Sequence, residues 1–493
     1  MKRREGLSKL SGRERYLDDL RLDGALWGAT VRRPAARGRI RDIRFPDRFD
    51  WSSFVIVDHR DIPGKNRLFL MKDDQPALAE DVVRHVHEPV LLLAHPSRDL
   101  VRRAADAVEV IVDATPAALD FRATPGAERI QVGPDNVLKR LSIVKGDVAR
   151  ALAEAPIVVE GVYETGAQEH IYLENQAMAA WLEGDVLVIH GSMPCPFYVV
   201  KALTSLLART PDTLRVVQTP TGGGFGGKEE YPSTIAAHAA LLALRAGRPV
   251  KLVYDRTEDM EATTKRHPSW VRHRTGLTED GRLLAQEIHV KLDAGAYVTL
   301  SPVVLSRAMI HAAGPYQCEH VSILGEAIFT NHVPFGAFRG FGNPQGCFAL
   351  ERHMDVIAHR LGIDPVELRR INLIRDGQTT ATGQVIRDGT DRVALMDRAL
   401  ELAGWRERRA AHAAFHRTSR ERRRGIGIAT LYHGAGFTGA GEVILDSRVH
   451  VAGLPDGRVE VRAASTEMGQ GTITIFTQLA ADRLGIPAAP GRD

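Results

Sequence analysis

The feature of this sequence that most limits its possible folds is a run of five glycines around one phenylalanine at residues 222–227. A short apolar run with Val216 and Val217 precedes it and predicts a buried strand. An alanine- and leucine-rich segment follows, with Pro232 near its first turn and Gly247 just past its end, which predicts a helix. Because glycines lack Cβ and reach positive φ, such a connection lets backbone N–H groups converge on an anion. The loop therefore predicts a cofactor that carries phosphate or another oxo-anion.

A nucleotide-binding enzyme is one alternative for this loop. Residues 222–228 satisfy the first seven positions of the pattern G-x-x-x-x-G-K. The next position should be Ser or Thr, whose hydroxyl holds Mg²⁺. Here it is Glu229, whose carboxylate would repel a triphosphate, so this alternative is disfavoured. A plain strand–helix turn is a second alternative, and the clustering of five glycines weighs against it.

Length, charge and cysteine usage restrict the function further. A chain of 493 residues is long enough for two to four domains. The formal net charge of +4 is small for this length and does not indicate a nucleic-acid partner. Three scattered cysteines (Cys195, Cys318 and Cys347) fit neither a disulfide framework nor iron–sulfur ligation within this chain. The basic N-terminus lacks an apolar signal region and no apolar run reaches membrane-spanning length, which predicts a cytoplasmic protein without a membrane partner.

Three segments together resemble the motifs of one family. They are GGGFGGKE at 222–229, GAFRGFGNPQ at 336–345 and TEMGQG at 466–471. In this order they are similar to the glycine loop, the AFRGFG segment and the EMGQG loop of the molybdenum-binding subunit in the xanthine dehydrogenase and aldehyde oxidase family. The resemblance begins near Gly12 and runs nearly to the end of the chain.

The resemblance implies an α+β fold in three parts. Strand patterns at 26–31 and 90–94, with a helix that Ser97 can cap, match the α/β-hammerhead domain that begins the family's molybdenum subunit. The implied domains are the hammerhead domain at 1–122, the first molybdopterin-binding domain at 138–410, and the truncated start of a second molybdopterin-binding domain at 425–493.

The resemblance also implies the cofactor and its partners. The cofactor would be molybdenum on molybdopterin, in its cytosine dinucleotide form, with no protein side chain as a metal ligand. A molybdenum hydroxyl would attack an electron-poor carbon and hydride would pass to a sulfido ligand. A 2Fe-2S subunit and an FAD subunit would carry the electrons away. The residues that match the family's cofactor-binding positions are Gly224, Phe225, Gly226, Gly227, Arg339, Gly340 and Gln470.

Four further positions match the family's catalytic and substrate-contacting residues. Glu229 and Arg307 fall where purine-oxidising members place a carboxylate and an arginine, which can bind ring N–H groups and a purine oxygen. Phe341 and Phe437 fall where two aromatic rings would hold a flat substrate. The implied substrate is a purine or related N-heterocycle. An aldehyde-oxidising member of the family is the alternative, and typically lacks the charged pair.

Two departures from the family pattern bear on activity. The glutamine that usually contacts the molybdenum oxo ligand is replaced by Pro194, which has neither an amide side chain nor a backbone N–H. The catalytic glutamate of a Gly-x-Gly-Glu setting has no counterpart after Gln470. We therefore expect no hydroxylase activity from this polypeptide alone. It would be one piece of a split subunit completed by a separate C-terminal molybdopterin-binding chain, or else an inactive fragment or cofactor-binding remnant.

Overall fold

The structure, a computed structural model, describes residues 3–33, 35–123, 135–434 and 448–488. In chain order the strands are β1 (Leu26–Arg33), β2 (Gly38–Arg44), β3 (Val55–Val57), β4 (Val82–Val83), β5 (Glu88–His95), β6 (Glu109–Ala114), β7 (Val137–Lys145), β8 (Ile157–Thr165), β9 (Ala177–Glu183), β10 (Val186–Gly191), β11 (Leu214–Gln218), β12 (Val250–Val253), β13 (Ser269–Leu277), β14 (Leu283–Gly295), β15 (His320–Phe329), β16 (His450–Gly453) and β17 (Val459–Arg462).

Helices alternate with these strands, and the mixture gives an α+β protein. They are α1 (Gly6–Leu10), α2 (Arg98–Ala107), α3 (Val148–Glu154), α4 (Pro196–Leu206), α5 (Pro232–Ala246), α6 (Arg256–Ala262), α7 (Ser301–Ala312), α8 (Asn343–Leu361), α9 (Pro365–Asn372), α10 (Arg392–Leu402), α11 (Trp405–Thr418) and α12 (Thr472–Leu484). In the part of the chain that is described, no helix combines the length and the apolar character needed to cross a bilayer.

A seven-stranded mixed sheet joins the N-terminal region to the middle of the chain. Its order is β11-β10-β9-β12-β1-β5-β3. Strand β1 pairs in parallel with β12 and antiparallel with β5. Helix α5 is buried against this sheet, with Ile235, Leu241 and Leu242 almost completely excluded from solvent. Strand β1, which the sequence predicts near the N-terminus, thus depends on the distant strand β12 for one of its two neighbours.

A five-stranded sheet forms the second core. Its order is β7-β15-β14-β13-β8, with β13 and β14 forming a hairpin whose turn includes residues 279–281. Helices α7 and α8 pack together and contribute Leu305, Met309, Leu350 and Met354 to its apolar cluster. A smaller sheet, β4-β2-β6, lies in the N-terminal region.

The local predictions around the glycine loop are mostly confirmed. Helix α5 begins at Pro232, and its C-cap Gly247 has φ +60°. The Ser97 side chain accepts a hydrogen bond from the N–H of Leu100 at the start of α2, as its position predicts. The prediction of a buried strand at Val216 and Val217 is wrong in one respect. These residues lie in β11, an edge strand, and both are only half-buried, because a short apolar run does not by itself distinguish an edge strand from a central one.

Candidate cofactor and substrate site

An ion pair inside the protein holds the first turn of the glycine loop. The Glu174 carboxylate accepts a hydrogen bond of 2.7 Å from the N–H of Gly222 and one of 2.9 Å from Nζ of Lys228. Nζ of Lys228 also donates to Oγ of Ser192, just after β10, and the side chain is completely buried. Lys228 is thus turned into the protein and away from the position that a phosphate-binding lysine takes in a nucleotide site. This geometry weighs further against the nucleotide-binding alternative.

The backbone of the glycine loop presents consecutive donors without acceptors. Within the described residues, no hydrogen bond is formed by the N–H groups of Gly223, Gly224, Phe225 and Gly226. Gly224 is buried, and buried backbone N–H groups normally find a partner. Concave rows of N–H groups of this kind bind anions. The loop therefore fits an anionic cofactor such as a phosphate-bearing pterin.

The loop and the second motif share an unusual backbone conformation. Phe225 and Gly226 have φ of +52° and +99°, and Phe341 and Gly342 have φ of +51° and +99°. A non-glycine residue in the left-handed region is uncommon and is favoured only where the surroundings enforce it. A Cβ on Gly226 would lie 2.8 Å from Cα of Phe338, so the two motifs touch backbone to backbone.

Two direct hydrogen bonds fasten these motifs together. The N–H of Arg339 donates to the carbonyl oxygen of Phe225 over 2.8 Å. The N–H of Ala337 donates to Oε1 of Glu230 over 3.0 Å, and that carboxyl is fully enclosed. Burial and the neighbouring Glu229 raise the pKa of Glu230 to about 8. Glu230 is therefore protonated near neutral pH and fixes the second motif without placing a net charge in the interior.

The third motif approaches from the C-terminal region. Oγ1 of Thr466 donates to the carbonyl oxygen of Pro194 over 2.9 Å, and Nε2 of Gln218 donates to the carbonyl oxygen of Glu467 over 3.0 Å. The structure thus brings the TEMGQG segment to the end of β11, at the entrance of the glycine loop. The Gln470 side chain is engaged within its own segment, donating to the carbonyl oxygen of Thr466 over 2.8 Å. Contact between Gln470 and a pterin stays a prediction.

Glu229 and Arg307 are electrostatic neighbours in this region. Burial raises the pKa of Glu229 to about 7, and the charge of Arg307 opposes that rise. Burial lowers the pKa of Arg307, and the charge of Glu229 opposes that fall. Cys195 and Tyr198 lie nearby. Burial raises the pKa of both side chains to about 12, and the negative charge of Glu229 adds to this rise. The site thus holds a carboxyl that titrates near neutrality, a cation and two neutral polar groups.

The aromatic residues of the prediction are only partly described. Phe341 is half-buried beside the second core, and the guanidinium carbon of Arg307 lies 5.7 Å from its ring centroid. Phe225 is 47% exposed, and Arg339 has an exposed side chain. Phe437 lies outside the described residues. The structure therefore brings Glu229, Arg307 and Phe341 into one neighbourhood, next to the glycine loop.

Sequence reasoning missed several residues that hold the site. Glu230 was not singled out, although its place directly after Glu229 in a loop poor in other carboxylates was a usable signal. The pairing of Lys228 with Glu174 spans more than fifty residues and has no sequence signal at all. His170 also contacts the second motif, with its Nε2 at 2.8 Å from the carbonyl oxygen of Ala337.

Three models of known domains match this sequence. The aldehyde oxidase and xanthine dehydrogenase a/b hammerhead domain matches residues 11–115. A molybdopterin cofactor-binding domain matches residues 130–373, and a second such domain matches residues 398–490. The glycine loop and the AFRGFG segment lie in the first of these two, and the TEMGQG segment lies in the second.

Individual relatives are similar over most of the chain. A probable xanthine dehydrogenase subunit of Bacillus subtilis is 31% identical over 494 residues, which cover 99% of this chain and 64% of that protein. The nicotinate dehydrogenase large molybdopterin subunit of Eubacterium barkeri is 32% identical over 403 residues, which cover 81% of this chain and 94% of that protein.

Solved structures show the same fold. The aldehyde oxidoreductase of Desulfovibrio gigas has a TM-score of 0.88 at 29% identity, covering 98% of this chain and 54% of that one. The quinoline 2-oxidoreductase of Pseudomonas putida 86 has a TM-score of 0.88 at 28% identity, covering 99% of this chain and 65% of that one. This chain thus spans between half and two thirds of the length of these structures. With the matched domains, the relatives and the fold in agreement, the chain belongs to the molybdopterin-binding subunits of the xanthine dehydrogenase and aldehyde oxidase family.

Proposed function

We propose that this chain is the molybdenum-cofactor-binding large subunit of a hydroxylase that oxidises a purine or a related N-heterocycle. The observation that carries the proposal is the electrostatic coupling of Glu229 with Arg307 beside Phe341 and the glycine loop. A largely buried carboxyl with a cation nearby suits a ring that offers N–H donors and an oxygen acceptor. A simple aldehyde offers no N–H group for Glu229.

Each residue has a defined task in this proposal. Ionised Glu229 accepts a hydrogen bond from a ring N–H and so orients the heterocycle, while Arg307 stabilises negative charge that grows on the substrate oxygen. Phe341 supports the ring face. The bound cofactor would supply the oxygen transfer and take up two electrons. Gly223 to Gly226 would hold its anionic groups through their backbone N–H donors.

The cofactor form and the redox partners are parts of the same proposal. Molybdopterin cytosine dinucleotide is the proposed form. A 2Fe-2S subunit and an FAD subunit would receive the electrons, since the three cysteines of this chain are too scattered to ligate a cluster. The proximal partner would therefore bind near the site, within electron-transfer distance of the pterin.

We also propose that a separate molybdopterin-binding polypeptide packs against this chain. Helix α12 supports this proposal because it keeps several apolar side chains about half exposed, a pattern typical of a face that another segment covers. They are Ile473 at 47%, Ile475 at 48%, Leu479 at 57% and Leu484 at 51%. The chain also matches nearly the whole length of a relative named as a large molybdopterin subunit. This match supports a cofactor site shared between two polypeptides.

The test is reconstitution of the complete assembly in a host that makes the cofactor. Its kcat/KM is measured with xanthine, with nicotinate and with benzaldehyde, and this chain is assayed alone as well. The proposal expects turnover of an N-heterocycle by the assembly and none by the isolated chain. Preference for benzaldehyde would favour the aldehyde-oxidising alternative. An assembly with molybdenum and pterin but without turnover of any of these substrates would favour a non-catalytic cofactor-binding protein.

A further inference from the structure

Arg266 is a buried cation behind the glycine loop whose charge no group among the described residues compensates. It lies in the segment that connects α6 to β13, and the residue is 9% exposed. Nε donates to Oε1 of Gln168 over 2.8 Å, and Nη2 donates to the carbonyl oxygen of Arg339 over 3.0 Å. Nη1 is fully enclosed and has no acceptor in the described part of the chain.

The guanidinium is also packed against an aromatic stack. Its Cζ lies 3.8 Å from the ring centroid of Phe338, and the imidazole of His170 stacks on that ring at 4.1 Å and 19°. Such a cation–π contact stabilises the guanidinium but does not replace a counter-ion. Among the described residues, no carboxylate forms an ion pair with Arg266, and burial lowers its pKa to about 10.

A buried charge without a partner is costly, so proteins retain one where a ligand supplies the missing charge. Both acceptors of Arg266 are neutral, and one of them belongs to Arg339, whose own N–H holds the glycine loop at Phe225. The exposed guanidinium of Arg339 forms no ion pair with a described residue either. Two arginines without described carboxylate partners thus adjoin a loop that presents free N–H donors.

We propose that Arg266 is the buried counter-charge for an anionic group of the bound pterin cofactor, to which Nη1 donates its remaining hydrogen bond. This inference rests on the proposed function, because it needs a pterin at the glycine loop. It assigns Arg266 to cofactor retention and separates it from the substrate-facing pair Glu229 and Arg307.

The experiment compares cofactor retention and intrinsic stability in two Arg266 variants, each produced within the complete assembly of this chain and its partner subunits. Arg266→Gln removes the charge and Arg266→Lys keeps it. Arg272→Gln is the matched control, because Arg272 lies on the neighbouring strand β13, is 38% exposed in its side chain and faces Glu160 and Glu287. Molybdenum and pterin per chain are measured after production in a cofactor-competent host. Tm is measured for the apo chains from a host that lacks the cofactor.

The expected result is a molybdenum and pterin content at least about tenfold below wild type in Arg266→Gln. Arg266→Lys and Arg272→Gln should stay within about threefold of wild type. The apo Arg266→Gln chain should melt at or above the wild-type temperature, since an uncompensated buried charge is gone.

A molybdenum and pterin content equal to wild type in Arg266→Gln would overturn the inference and leave the proposed function standing. The same holds if the apo Arg266→Gln chain has a lowered Tm, because reduced stability would then explain the loss of cofactor. A loss in Arg266→Lys as large as that in Arg266→Gln would contradict a role for the charge itself. An effect on KM for the substrate with unchanged content would overturn the inference by assigning Arg266 to the substrate. A wild-type assembly that carries no pterin would overturn both the inference and the proposed function.

Discussion

The N–H of Arg339 donates to the carbonyl oxygen of Phe225, and this 2.8 Å hydrogen bond joins two motifs that lie more than a hundred residues apart in the sequence. Its acceptor is a residue with φ +52°, whose N–H points to no described acceptor. The bond therefore fixes the left-handed turn while the donors of the glycine loop stay available. The conformation of one motif depends on the other, and substitutions in either should change the same property, the retention of the cofactor.

Gly226→Val should expel the cofactor. A Cβ at this position would lie 2.8–2.9 Å from backbone atoms of Ala337 and Phe338, and φ of +99° is strained for any side chain. We expect molybdenum and pterin content to fall at least about tenfold, measured per folded chain. Gly166→Ala is the control, because nothing lies within 4 Å of a Cβ built at this position. Its molybdenum and pterin content should equal that of wild type. Full occupancy in Gly226→Val would exclude the loop as the cofactor site.

Glu229→Ala and Arg307→Met should separate the two substrate classes. In the proposed function each substitution removes a charge-assisted hydrogen bond to a heterocycle, worth about 1.5–3 kcal/mol, and should lower kcat/KM for a purine on the order of 10- to 100-fold. Oxidation of benzaldehyde by the same assembly should change far less. Glu160→Gln, an exposed carboxylate of strand β8, should leave both activities unchanged. Equal losses on both substrates would show a structural role for the pair.

The activity with an N-heterocycle should rise with pH through about 7. Burial raises the pKa of Glu229 to about 7, so the carboxylate that we propose accepts the ring N–H exists mainly above this pH. Arg307 opposes the rise, and the step should move to higher pH in Arg307→Met because that opposition is lost. The pH dependence of kcat/KM tests this. If the step survives in Glu229→Gln, another group is titrating.

Lys228→Met should destabilise the chain strongly. It leaves the Glu174 carboxylate without its buried cation, and breaking a buried ion pair from one side costs about 3–5 kcal/mol. Lys228→Met combined with Glu174→Gln should recover part of that loss, because no charge then stays unpaired. Urea unfolding of both single variants and the double variant gives the coupling energy. Additive losses would mean that the pair does not act as a unit.

The fold should lose stability in mild acid because it buries neutral histidines. Burial lowers the pKa of His238 and His267 to about 3 and that of His353 to about 4, below the value of about 6.5 in an unfolded chain. The unfolded state then binds more protons, so the stability present above a pH of about 6.5 is lost as pH falls towards the folded pKa values.

Urea titrations at about pH 7.5 and about pH 5 measure this effect. Removing one such histidine, as in His353→Gln, should reduce the acid-induced loss by about 2 kcal/mol or less. His359→Gln changes an exposed histidine of the same helix and should leave the loss as it is in wild type. An identical loss in His353→Gln and wild type would mean that other groups cause the acid sensitivity.

Local sequence determined much of this protein. The glycine clustering, the start of α5 at Pro232, the cap at Ser97 and the turn of the β13–β14 hairpin all follow from conformational preferences of a few adjacent residues. The three motifs also identified the family, and this resemblance, with the strand patterns at 26–31 and 90–94, predicted an α+β fold with a hammerhead region. These features depend on neighbours in the chain, and therefore the sequence contains them directly.

The tertiary structure decided what holds the site together. Residues far apart in the chain meet in the ion pair of Lys228 with Glu174 and in the hydrogen bond from Ala337 to Glu230. Arg266 is likewise buried by residues that are distant in the sequence. The same holds for β11, which the sequence predicts as buried and the fold places at a sheet edge. Burial and charge compensation are sums over everything that surrounds a group in space. The sequence neighbours of a residue do not determine its burial or its charge partners, because the folded chain brings distant segments around it.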